Sequence, residues 1–244
     1  MEFLNEILLN RTSPFHIIKH TGTSLLAALY RHYLHTLTLD TVNNLGNLYA
    51  DQGKLAEAEA MYTRALQGYE KALGPKHTST LDTVNNLGLL YADQGKLAEA
   101  EAMYTRALQG YEKALGPKHT LTLETVNNLG NLYADQGKLA EVEAMYTRAL
   151  QGYEESIGPE LLCSYIPALN TVFAFGDLFS QTDRKDMAKV LYTRALSGYT
   201  TVQGPSSKWC IQIEGWLQAL QLMPAEIEIP QHTPAEARMQ ASSG

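Results

Sequence analysis

"DTVNNLGNLYADQGK", residues 40–54, decides how the chain is read. Its inner part, "GNLYADQGK" at 46–54, has the outline of a phosphate-binding loop, opened by a glycine and closed by Gly53-Lys54. A phosphate loop places four residues between its first glycine and Gly-Lys, then Ser or Thr for the magnesium ion. Here six residues separate Gly46 from Gly53, and Leu55 follows Lys54. Val42, Leu45 and Tyr49 recur at helical spacing on either side of Gly46, which puts that glycine inside a helix. The stretch therefore reads as a helix closing in a turn, and no nucleotide site is expected.

The same stretch returns. "DTVNNLG" begins at Asp40 and Asp82 and "ETVNNLG" at Glu124, a period of 42 residues. Residues 40–81 and 82–123 differ only at Asn47/Leu89 and Ser79/Leu121, while the unit 124–165 drifts after Glu154. "LYTRALSGY" at 191–199 echoes "MYTRALQGY" at 61–69 and marks a diverged fourth unit, its four extra residues placed after Gly158-Pro159. Behind Gly204-Pro205, "SSKWCIQIEGWLQALQLM" reads as one closing amphipathic helix. Residues 1–35 match no repeat. Residues 36–223 form the array, and the Pro/Ala/Gln/Ser-rich residues 224–244 read as a disordered tail.

Each unit holds two helical runs. Val42, Leu45, Gly46 and Tyr49 share a face of the first; Leu55, Ala58, Tyr62, Ala65, Leu66 and Tyr69 share a face of the second. Gly53 suits the left-handed position past a helix end, and Gly74-Pro75 stops the second run. Thr36, Thr78 and Thr120 are the expected N-caps of first helices. A mid-helix glycine costs about 1 kcal/mol against alanine, so Gly46, Gly88 and Gly130 predict close approach of the partner helix. One hairpin cannot bury both of its sides, whereas a stack can.

Composition closes off several functions. A formal net charge of −7 disfavours nucleic acid and anionic membrane surfaces. No window reaches the ~18 apolar residues of a membrane span. Glu2 and Glu6 stand where a signal peptide carries positive charge. Cys163 and Cys210 are the only cysteines, which fits a reducing, cytoplasmic setting. His16 and His20 have i, i+4 spacing but no glutamate or cysteine beside them in a metal-site pattern, so solvated or packed histidines are expected there. His77 and His119 recur with the linker. No Gly-x-Ser-x-Gly elbow occurs, and Glu57/Glu59 and Glu99/Glu101 fall on the outer side of second helices. No enzyme, cofactor or metal is expected.

Leu45-Gly46-x2-Tyr49, Ala58-x3-Tyr62 and Ala65 resemble the tetratricopeptide repeat (TPR) hairpin. With its 42-residue period, "TVNNLGNLYADQGKLAEAEAMYTRALQGYEKALGPKHTSTL" resembles the repeats of kinesin light chains, and more closely the TPR tails of fungal NOD-like receptors. The resemblance implies an all-α, right-handed α-solenoid of stacked helix-turn-helix hairpins. It also implies a non-catalytic protein or peptide binder whose first helices line a concave groove. The residues so placed are Asp40, Asn43, Asn44 and Asn47; Asp82, Asn85, Asn86 and Leu89; and Glu124, Asn127, Asn128 and Asn131. An asparagine amide both donates and accepts, so a column of them can pair with an extended peptide backbone. Solvated framework copied by duplication is the competing reading of the same asparagines. A receptor sensor fragment, a kinesin-light-chain-like cargo adaptor and a spacer or self-association module are the three functional readings.

Overall fold

The computed structural model describes residues 24–222. Among them the chain forms α1 (Ser24–Asp51), α2 (Leu55–Ala72), α3 (Thr78–Asp93), α4 (Leu97–Leu115), α5 (Thr120–Asp135), α6 (Leu139–Leu162), α7 (Ile166–Gln181), α8 (Lys185–Gln203) and α9 (Lys208–Leu222). Each odd helix from α1 to α7 packs on the even helix after it, and each even helix packs on the odd helix that follows. The result is an α-solenoid of four hairpins closed by α9.

The core alternates along the stack. Leu39 and Val42 meet Ala65 and Tyr69 inside the first hairpin. Ala58 and Tyr62 of α2 then cover Leu87 and Leu90 of α3 in the next. Ala100 and Tyr104 do the same for Leu129 and Leu132 one unit on. A buried Leu or Val contributes roughly 1.5–3 kcal/mol. Much of that exists only because a neighbour supplies the covering face, which ties each unit to the next.

Glycine and tyrosine set the spacing within a hairpin. A Cβ on Gly46 would stand 2.6 Å from Cε1 of Tyr62, and Gly88, Gly130 and Gly176 meet Tyr104, Tyr146 and Tyr192 in the same way. This is the close approach the mid-helix glycines predict. A second set, not foreseen, runs the other way: a Cβ on Gly68 would stand 2.2 Å from Cδ2 of Leu39. The hairpin turn places Gly53 at φ +71°, and the Lys54 amide donates to the Tyr49 carbonyl at 2.9 Å.

The expected caps need correction. Thr78 and Thr120 are the first helical residues, and His77 and His119 are the caps, their Nδ1 atoms accepting from the amides of Ser79 and Leu121. Thr80 and Thr122 donate back to the carbonyls of Gly74 and Gly116 at 2.8 Å, which clasps each linker. Thr36 caps nothing, because α1 runs unbroken from Ser24 to Asp51. The four inserted residues also behave differently from a loose connection. The second helix, α6, breaks at Gly158, where φ is 78°, and the residues after Pro159 form a short separate helical piece that ends at the buried Leu162. The expectations for His16, His20 and the tail 224–244 lie outside the described residues.

At the far end α9 seats Ile213 and Cys210 fully in the core. Trp216 stacks on Phe173 at 4.9 Å between ring centroids, and Trp209 stacks on Tyr199 at 5.7 Å.

Candidate interaction face

The first helices α1, α3, α5 and α7 carry every residue singled out for the groove. On α1, residues 40, 44, 47 and 51 lie on one stripe because steps of four, three and four stay within a helical face. Asp40, Asn44, Asn47 and Asp51 are all exposed. The matching stripe on α3 is Asp82, Asn86, Leu89 and Asp93, and on α5 it is Glu124, Asn128, Asn131 and Asp135. Leu89 stands half out in solvent, 51% exposed. On α7 the stripe continues as Asn170, Ala174, Asp177 and Gln181. Between the third and fourth hairpins these side chains border a recess of about 210 Å³, lined by Asn131, Ala134, Asp135, Tyr146, Asp177 and Gln181 among others.

Asn43, Asn85 and Asn127 lie elsewhere. They turn toward the next hairpin, half-buried for the first two and only 8% exposed for Asn127. Asn43 Oδ1 accepts from the Thr83 hydroxyl at 3.0 Å; Asn85 Oδ1 accepts from Thr125 at 3.3 Å and from Asn128 Nδ2 at 3.4 Å. The packed stripe is thus wider than Val42 and Leu45 alone indicate. Asn127 ends the series: Thr171 donates to its own helix at Pro167, Ala174 stands where Asn86 and Asn128 stood, and Asn127 Oδ1 is buried without a partner.

Tyrosines reach under the stripe from behind. Tyr69 of α2 donates to Asp40, Tyr111 of α4 to Asp82, and Tyr165, just ahead of α7, to Glu124 at 3.1 Å. Lower on the stripe, Tyr62 donates to Asn47 and Tyr146 to Asn131, both at 2.7 Å, and Tyr192 donates to Asp177. Asn47 also accepts from Asn86 of the next unit at 3.3 Å. Burial raises the carboxyls of Asp82, Glu124 and Asp177 above their ordinary values, partly opposed by these tyrosine bonds. Burial together with Asp51 and Asp93 pushes Tyr62 up to about 12, so the hydroxyl stays a donor at neutral pH.

The outer glutamates prove less idle than the sequence indicates. Glu59 accepts from Gln94 at 3.1 Å and pairs with Lys96 at 3.4 Å; Glu101 repeats the arrangement with Gln136 and Lys138. Arg184 grips Glu143 in the fourth unit. These bonds join neighbouring hairpins. The glutamates themselves were visible in the sequence, but a partner 37 residues further on was not. Among the described residues no group of three His, Cys, Asp or Glu side chains is placed to hold a metal ion. No single described helix is long and apolar enough to cross a bilayer.

A tetratricopeptide repeat family model matches residues 37–113 and 81–155, so this part of the chain consists of tetratricopeptide repeats. Among solved structures the chain is similar to BtubC (BKLC) from P. vanneervenii, with a TM-score of 0.65 and 19% identity over 86% of this chain and 83% of that one. It is also similar to the nearly identical TPR-like repeats of a kinesin-light-chain-type protein from Podosopora anserina, with a TM-score of 0.59 and 16% identity over 76% of this chain and 91% of that one. At these identities the likeness is one of fold, a TPR solenoid. No curated protein sequence matches the chain.

Proposed function

We propose that the array is a non-catalytic scaffold, working in the cytoplasm, that holds a peptide or protein against its first helices. One observation carries this reading: α1, α3, α5 and α7 turn the same polar stripe outward, with Leu89 exposed in its middle. The proposed face comprises Asp40, Asn44 and Asn47, then Asp82, Asn86 and Leu89, then Glu124, Asn128 and Asn131. Asn43 and Asn85 lie behind it and bond to the next first helix, and Asn127 lies behind it with its side-chain oxygen unpartnered.

The finer reading is a fragment or stand-alone relative of the sensor region of a fungal NOD-like receptor. Its support is the near identity of successive units, since residues 55–72 and 97–114 do not differ at all. A kinesin-light-chain-like adaptor is the second reading, favoured by the fold of the Podosopora anserina repeats.

Affinity purification with the full chain as bait, beside a Leu89→Arg/Ala134→Arg variant, tests the scaffold reading. Both positions are exposed and accept bulk without disturbing the helices. A partner held by the wild type and released by the variant is the expected result. Equal recovery moves the interaction off this face. Recovery of the bait alone favours a spacer or self-association module.

A further inference from the structure

The charges of the solenoid are sorted by face. From Thr38 onward α1 carries no Lys or Arg, and neither do α3, α5 and α7; the cations sit on second helices and in turns. Several of those cations are engaged: Lys96 and Lys138 with Glu59 and Glu101, Arg106 and Arg148 with Glu70 and Glu112, Arg184 with Glu143. Asp51, Asp93 and Asp135 are different. All three are exposed, and no described side chain pairs with them. Each is the last residue of its first helix, so the three recur at the same end of successive units, with Asp93 and Asp135 both acting on Tyr104.

A second observation falls on Tyr104. Tyr104 is 1% exposed, yet its hydroxyl has no acceptor among the described residues. Its counterparts Tyr62 and Tyr146 donate to Asn47 and Asn131, and the matching position here is Leu89. The hydroxyl that lacks an acceptor thus lies beside the exposed apolar side chain and between two unpaired carboxylates.

Resting on the groove reading above, we propose that this face takes an extended polypeptide segment rich in lysine or arginine. An apolar side chain of the segment lies on Leu89, and a backbone carbonyl accepts from the Tyr104 hydroxyl. Basic side chains meet Asp51, Asp93 and Asp135. Nucleic acid would set phosphate against these carboxylates. With neighbouring first helices about 10 Å apart, the four units span about 30 Å, or roughly nine residues of extended chain.

The test uses the full unlabelled chain, with a fluorophore on the N-terminus of each probe peptide as the reporter. The probes are synthetic peptides of roughly nine residues alternating lysine with leucine, glutamate with leucine, or serine with leucine. The lysine peptide is expected to bind at least about tenfold more tightly than the other two, and to weaken as salt is added. Asp51→Asn, Asp93→Asn and Asp135→Asn together are expected to weaken it about tenfold or more with unchanged circular dichroism. Leu89→Asn, which gives Tyr104 an acceptor of its own, is expected to weaken it several-fold. Glutamate or serine peptides binding as tightly as lysine would overturn the charge assignment and leave the groove standing. No reporter shift with any peptide would overturn both.

Discussion

A methyl group built on Gly88 would stand 2.7 Å from Cδ1 of Tyr104, whose ring is sealed in the core. Alanine is the better helix former by about 1 kcal/mol, but forcing volume into packed surroundings costs about 1–3 kcal/mol. Gly88→Ala is therefore expected to destabilise the array in urea unfolding. Gly215, on α9, has nothing within 4 Å of its would-be Cβ. Gly215→Ala is expected to stabilise by about 0.5–1 kcal/mol, so two identical substitutions should move the midpoint in opposite directions.

Asp82 supplies a pH test. Its folded-state carboxyl is raised above 3.8 by burial, with the Tyr111 bond opposing. A raised folded value means its contribution is fully present below the unfolded value and lost as pH rises through the folded one. The fourth unit already shows a neutral solution, where Asn170 accepts from Tyr199 at 2.5 Å in the same position. Asp82→Asn should keep the Tyr111 bond, raise the melting temperature at pH 7 and leave it nearly unchanged near pH 4. An equal rise at both values would show that the charge is not the cause.

The asparagines between hairpins should separate by position. Asn85→Ala loses the bonds to Thr125 and Asn128, at about 0.5–1.5 kcal/mol each. Asn127→Ala removes a buried oxygen that has no partner and should cost little or stabilise. Chemical unfolding of the two single variants decides it; equal losses would mean the inter-hairpin bonds are not what holds Asn85.

The closing helix should be indispensable. Ile213→Ala truncates a fully buried side chain and should cost about 2–5 kcal/mol. Ending the chain at Gln203 uncovers Phe173 and Tyr199, and is expected to lower the melting temperature or cause aggregation in light scattering. An unchanged, monomeric truncation would show that α9 covers nothing the solenoid needs.

How much of this could be read beforehand depends on the range of each interaction. Gly46 announced its contact because a mid-helix glycine is a local cost with few other reasons. Thr36 misled because its neighbours resemble those of Thr78, yet no Gly-Pro precedes it to stop the helix, and α1 runs through. His77 was passed over because threonine beside it is the stronger cap by type, whereas its ring reaches the Ser79 amide. That residues such as Asp40, Asn44 and Asn47 share one exposed stripe was legible from helical geometry. That Asn43 and Asn85 turn away from it was not, since Thr83 and Thr125 lie a whole unit further on.

Residues 55–72 and 97–114 are identical, so the surface α2 offers to α3 is the surface α4 offers to α5. The receiving helices differ at few positions, Leu121 packing at the second junction where Ser79 stands at the first. Correct registry then comes largely from the tether: the linker Gly74–His77 holds α3 beside α2 at an effective concentration no other molecule matches in dilute solution. As the concentration of unfolded chains rises, that advantage shrinks, and hairpins from two molecules can interleave through contacts indistinguishable from the native ones. The regularity that lets the array gain or lose a whole unit without a new junction also leaves it open to exchange between copies.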